Sequence, residues 1–424
     1  MKDKVAKFFR ILYHLKDKIA FFPSIIALGG CLFAYLMMYL ETKGISKYLI
    51  ETLPELVINN TETARTVLST FIAGLISIMV FSFSMVMILL NQASSNFSPR
   101  LLPGLISNRK HQIILGIYIA TILYCIFILV YIEPSGSKYQ LPGFSVLLSI
   151  VLMVVSLAAF INFIHSISQE IQIENITNNI SKLTCKKINY FLEQEKEKNF
   201  TFPDTTKWKE YICKSEGYYQ SISIKIIKKI ALENNCKIEV VSKRGNYCNE
   251  GDVLFKTEKK LDDNVIKQIY NAFDFSNDKM IEKNYLLAFK HLTEIAVKAM
   301  SPGINDPGTA INAIDYLSQL FSLRVQKQEK DYIFNDDKCI AVFHILHFNE
   351  LLYQVMASLR TYCKHDVLLV KKLLSLLIKL KNYTKNSEKI DAINTEIENL
   401  LEDAKKSITN KNDYQKLVSY SSKH

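Results

Sequence analysis

The sequence predicts a mainly α protein. A four-helix transmembrane domain (1–165) is followed by a helical stalk (166–200) and a mostly helical cytoplasmic domain with a small β-containing subdomain (201–424). Three observations predict this. Four runs of about 20 apolar residues, the length that crosses a bilayer core, lie in the first 165 positions with no Asp, Glu, Lys or Arg in their interiors. Beyond them the composition becomes that of a soluble protein with apolar residues at helical spacing. Within that part, a short region around Gly245 and Gly251 shows strand and turn signals instead.

The spans are Ala20 to Leu40, Thr66 to Leu90, Ile113 to Ile132 and Leu141 to Ile164. The first follows a basic segment, but it is too long for a signal-peptide core and no small-residue cleavage site follows it. It therefore reads as a retained helix. Orientation follows from the connections. The N-terminal segment holds Lys2, Lys4, Lys7, Arg10, Lys16 and Lys18, and the second connection holds Arg100, Arg109, Lys110 and His111. The other two connections carry little positive excess. Basic connections stay on the cytoplasmic side, so both termini are expected in the cytoplasm of a multi-pass membrane protein.

The second span differs from the other three. Thr70, Ser77, Ser84 and Asn91 recur every seven residues, close to two helical turns, and so share one narrow stripe. Two readings stand. Hydroxylated residues glue neighbouring membrane helices together. Alternatively, symmetry-related copies of the helix would ring a water-filled axis with hydroxyls and an amide, with Phe81 contributing to a constriction and Arg100 lining the inner mouth. No ionisable residue lies at mid-membrane, which argues against a proton relay.

In the second half, Ile167 to Ile188 keeps helical spacing without Pro or Gly, as a helix continuing out of the membrane would. Residues 199–208 read as a linker. Lys237 to Val241 and Asp252 to Thr257 read as strands. The run NYLLAFKHLTEIAVKAM is helical and ends at SPGINDPGTAINAIDYL, where Asp306 is placed to cap a new helix with Pro307 in its first turn. This reads as a helix–turn–helix corner. Its functional counterpart is a ligand site of Ser301, Asn305, Asp306 and Thr309 around exposed helix amides. The remainder, from FHILHFNELL onwards, reads as helical. His344, His347 and Glu350 lie three apart, but without a metal-binding motif.

The eight cysteines form no CxxC pair and behave as small hydrophobes. The net charge of +11 is spread among acids rather than gathered into a basic patch with aromatics, so nucleic acid is not an expected partner. No phosphate loop, nucleophile elbow or kinase set is present, so neither an enzyme nor a cofactor is expected.

The runs FSFSMVMILLNQASSNFSPRLLP and IAVKAMSPGINDPGTAINAIDYL resemble a bacterial domain-of-unknown-function family of predicted integral membrane proteins, and GYYQSISI, EGDVLF and MASLRTY are similar to it in the same order. The resemblance covers nearly the whole chain. It implies a bacterial inner-membrane location and brings no activity. The expectation is therefore an oligomeric ion channel with the second span lining the pore, leaning towards anions. Its partners would be the lipid bilayer, further copies of itself and inorganic ions. The alternative is a membrane-anchored sensor or scaffold.

Overall fold

The computed structural model describes residues 20–46, 58, 60–96, 109–132, 142–170, 172–196, 202–214, 216–275, 284–336 and 338–423. They fall into two compact units that divide at Gln172 and Ile173 and, at the far end of the second span, after Ser94.

Among the described residues the first unit holds four helices, α1 (Phe21–Thr42), α2 (Thr61–Asn96), α3 (Arg109–Tyr131) and α4 (Gly143–Glu170). All four are long and apolar enough to cross a membrane. With 36 residues, α2 is roughly 54 Å long, well beyond a bilayer core of about 30 Å. Asn60 starts it, accepting from the Thr63 amide at 2.9 Å.

Helices α1 and α3 meet backbone to backbone. A Cβ at Gly30 would lie 2.7 Å from the Ala120 Cβ, and one at Gly116 would lie 2.7 Å from Ile26 Cδ1. Small residues permit this approach in membranes, where van der Waals contact drives helix association. Hydroxyls add to the packing: Thr121 meets Ser156 across α3 and α4 at 3.2 Å, and the Tyr124 hydroxyl donates to the Ser145 carbonyl at 3.0 Å. Glu41 ties α1 to the start of α4. Its carboxylate accepts from the Ser145 amide at 2.9 Å and from the Ser145 hydroxyl at 2.7 Å. A carboxylate is stabilising there, because the first amides of a helix have no intrahelical partner.

The second unit begins with α5 (Ile173–Lys196). The stalk expected over 166–200 is divided: α4 ends at Glu170, Gln172 is not helical, and α5 packs inside the second unit, where Ser181 donates to Gln319 at 2.8 Å. Apolar periodicity does not distinguish a stalk from a core helix.

Eight strands follow among the helices: β1 (Lys209–Ile212), β2 (Gly217–Ile222), β3 (Ile238–Val240), β4 (Tyr247–Cys248), β5 (Val253–Thr257), β6 (Phe273–Phe275), β7 (Lys330–Asn335) and β8 (Lys338–His344). One sheet has the order β1-β5-β3-β8-β7 and the other β4-β2-β6. Every pairing is antiparallel except β3 with β8. The helices are α6 (Ile224–Glu233), α7 (Asp263–Ala272), α8 (Leu286–Ala299), α9 (Pro307–Arg324), α10 (Phe348–Cys363), α11 (Val367–Lys381), α12 (Ser387–Ser407) and α13 (Lys411–Ser422).

The sequence missed β7 and β8. Phe343 and His344, read as the start of a helix, close β8, and the helix begins only at Phe348. The reason is that β8 is buried on both faces from Cys339 to Phe343. A short continuous apolar run lacks the period-2 signal of a half-exposed strand.

Candidate functional site

The polar stripe of the second span lies on α2. Along this helix the buried positions are Ala64, Leu68, Leu75, Ser82 and Leu89. From Leu68 they repeat every seven residues, as the stripe does, but two positions earlier. Two residues on a helix are about 200°, so the stripe looks away from the other three helices. Thr70, Ser77, Ser84 and Asn91 are all exposed. The reading in which these hydroxyls glue α2 to the chain's own helices is therefore not the arrangement found. That role falls to the opposite seam.

The hydroxyls turn their protons to the helix itself. Thr70 donates to the Thr66 carbonyl at 2.8 Å, Ser77 to Ala73 at 2.9 Å and Ser84 to Val80 at 3.0 Å. What faces outward is a row of oxygen lone pairs and the Asn91 amide. Phe81 borders the stripe, half exposed, with its ring 6.0 Å from that of Phe160 on α4. Arg100 lies outside the described residues.

The second predicted cluster forms one corner between α8 and α9. Asp306 caps α9, accepting from the Thr309 amide at 3.1 Å. The Thr309 side chain and amide hold its carboxyl below the usual carboxylate range. The Ser301 hydroxyl donates to the Lys298 carbonyl at 2.7 Å, and the Asp306 amide donates to Ala299 at 2.7 Å. Asn305 takes a positive φ of 49°, a conformation that Asn tolerates better than most residues. The carboxylate of Asp306 thus already occupies the helix N-terminus, where an external anion would have to compete with it.

His344 and His347 do not share a helix face. His344 sits on β8 and meets Glu239 on β3 at 2.8 Å, while His347 precedes α10. Burial alone would raise the Glu239 carboxyl, but the His344 hydrogen bond, with Thr205 and Lys330, holds it at about 2.

One group of side chains escaped the sequence reading. Arg324, Lys327 and Asp331 are completely buried in the second unit. Lys327 Nζ lies 2.9 Å from both Glu195 and Asp331. Arg324 pairs with Glu329 at 2.6 Å, and Lys389 joins Glu329 at 3.0 Å. Asp331 also faces Arg244 at 3.7 Å. Burial would lower the Lys327 ammonium, but Asp331, Tyr285 and Glu195 raise it above its ordinary value. It therefore stays charged. A groove of about 650 Å³ opens beside this network, lined by Glu195, Lys327, Glu329, Lys385, Asn386 and Lys389 among others. The network joins α5, the turn after β3, α9, β7 and α12. Arg324, Lys327, Glu329 and Asp331 are close in sequence, but Glu195, Arg244 and Lys389 are distant from them, so no spacing could have announced the whole network.

Over residues 16–379 the chain matches the family DUF2254, described as a predicted membrane protein. It is 23% identical over 367 residues to an uncharacterized protein of Mycobacterium bovis, covering 82% of this chain and 70% of that relative. An uncharacterized protein of Mycobacterium tuberculosis is similar to the same extent, at 23% identity with 82% and 70% coverage. No solved structure matches the chain. Four apolar helices of spanning length and a family match over most of the sequence agree, and the chain belongs to the DUF2254 family of predicted membrane proteins.

Proposed function

We propose that this protein is an oligomeric ion channel of the bacterial inner membrane, with α2 of each copy lining a central pore and both termini in the cytoplasm. One observation carries the reading: the seven-residue polar stripe looks away from the chain's own helix packing. An outward row of polar groups is expensive against lipid, most of all at the exposed Asn91 amide. Contact with copies of the same stripe around water removes that cost. Thr70, Ser77, Ser84 and Asn91 then face the axis, and Phe81 flanks it. No catalytic step belongs to this proposal.

Selectivity is drawn two ways. The net charge of +11 raises anion concentration near the protein. The outward lone pairs of the stripe favour cations and water. Reconstitution into liposomes tests the reading, with separate potassium and chloride gradients. Flux is expected from the wild type and a large loss from Ser77→Leu and Ser84→Leu. Absence of flux together with a monomeric mass in detergent overturns it.

A second reading, a membrane-anchored sensor or scaffold, is favoured by a different observation in the second unit: a buried arginine with an open hydrogen-bonding edge.

A further inference from the structure

Arg244 stands on the turn between β3 and β4. Its side chain is about nine-tenths buried, with 8% of its surface exposed. One terminal nitrogen, Nη1, faces Asp331 at 3.7 Å. The other two, Nε and Nη2, have no hydrogen-bond partner among the described residues. These two form the side edge of the guanidinium, where two N–H bonds run parallel. That edge matches a pair of oxygens on one carboxylate or phosphate, the strongest common form of arginine recognition. A buried charge whose donors are not matched by acceptors costs several kcal/mol in general, so an edge without a carboxylate or carbonyl on it is not an ordinary structural solution.

The surroundings point the same way. The phenol oxygen of Tyr285 is buried and lacks a hydrogen-bond partner among the described residues, and that of Tyr219 is buried against the Arg244 guanidinium, which lowers the phenol. Both belong to the same electrostatic cluster as Arg244. Burial raises both phenols above their ordinary value, that of Tyr285 to about 12, so each keeps its proton and remains a donor. The guanidinium rests 5.3 Å from the centre of the Phe343 ring, which fixes its plane. The turn is held to β2 from both sides, with the Gly245 amide donating to Tyr219 at 2.7 Å and the Tyr219 amide donating to Asn246 at 3.0 Å. Gly245 itself has φ +88°, and a Cβ there would come within 3.1 Å of the Asn284 amide nitrogen. The loop is thus built around this geometry. Across the buried network, Arg244, Arg324, Lys327 and Lys389 face Glu195, Glu329 and Asp331. One positive charge is left over among these residues.

We propose that Arg244, with the hydroxyls of Tyr219 and Tyr285, forms a binding site for a small oxyanion of the carboxylate or phosphate class. The anion bridges the Nε–Nη2 edge of Arg244 and accepts from the phenols. Its charge balances the network that joins α5, β7, α9 and α12. The turn that carries Arg244 reaches the surface at Asn246 and Tyr247, which are exposed. The site is independent of the pore reading and stands or falls without it.

The test uses the full chain in detergent, melted in rising inorganic phosphate, acetate or chloride at constant ionic strength. Binding to the folded state raises the melting temperature in proportion to occupancy. A saturable rise is expected with phosphate or acetate, and a smaller one with chloride, which cannot span the fork. Arg244→Lys keeps the charge and loses the fork, so its response should vanish. Tyr285→Phe removes one donor and leaves the fold intact, so the apparent affinity should fall roughly tenfold, about one hydrogen bond's worth. The proposal is overturned if the wild type shows no saturable response to either oxyanion. It is equally overturned if Tyr285→Phe responds as the wild type does, which remains decisive even where the Arg244 variant does not fold.

Discussion

Lys327 illustrates how a single side chain is committed by its surroundings. Its ammonium is fully buried between Glu195 and Asp331 and also donates to the Lys330 carbonyl at 2.9 Å. Replacing it with methionine fills the same space but leaves two buried carboxylates without their cation. Lys327→Met should therefore destabilise the second unit by about 3–5 kcal/mol, the usual cost of breaking a buried pair from one side. The only tryptophan, Trp208, lies in that unit beside Phe202, so its fluorescence in urea reads the loss. Glu329 gives the pH dependence. Burial alone would raise its carboxyl, but Arg324 and Lys389 hold it at about 2. A carboxyl depressed on folding contributes stability above its unfolded value, and that contribution is lost as pH falls through the folded value. The urea midpoint should thus decline from about pH 5 downward, and less steeply in Glu329→Gln. An unchanged acid limb in that variant contradicts the assignment. None of this was visible in the sequence, where Lys327, Glu329 and Asp331 look like a solvated run of charges.

At the scale of elements, the crossing of α1 and α3 depends on the absence of side chains at two positions. Gly116→Leu would drive a side chain into Ile26, and overpacking of this kind costs about 1–3 kcal/mol. Gly29, one residue from the Gly30 contact, has nothing within 4 Å of its Cβ position. Gly29→Leu should leave the detergent melting temperature near that of the wild type, while Gly116→Leu lowers it. Equal behaviour of the two variants would show that the crossing does not hold the unit together. The four spans themselves were legible to within a few residues, because apolar length is a strong signal. The α8–α9 corner was legible for a different reason: Asp306 and Pro307 act within one turn of chain, and the cap forms as the local sequence dictates. Strand β8 was not legible. Its apolar run serves a helix or a buried strand equally well until β3 and β7 lie beside it.

For the molecule as a whole, the division at Gln172 and Ile173 has a direct consequence. The second unit has its own apolar core, running from Ile180 through the sheets to Leu417. A fragment of residues 173–424 should therefore be soluble without detergent and unfold in one cooperative transition, followed by circular dichroism. Aggregation of that fragment, or a gradual transition, would show that its core depends on the rest of the chain.

The sequence by itself determined the membrane class, the four spans, the seven-residue polar stripe and the corner at Asp306. Each rests on interactions within a few turns of one helix, where spacing along the chain is spacing in space. The tertiary structure decided what spacing does not contain. It turned the stripe away from the chain's own helix packing and placed α5 in the second unit's core. It also gathered Glu195, Arg244, Lys327 and Asp331 into one buried network. The contact of Glu195 with Lys327 spans 132 positions and that of Ser181 with Gln319 spans 138, and only burial makes such distant charges and dipoles matter to one another.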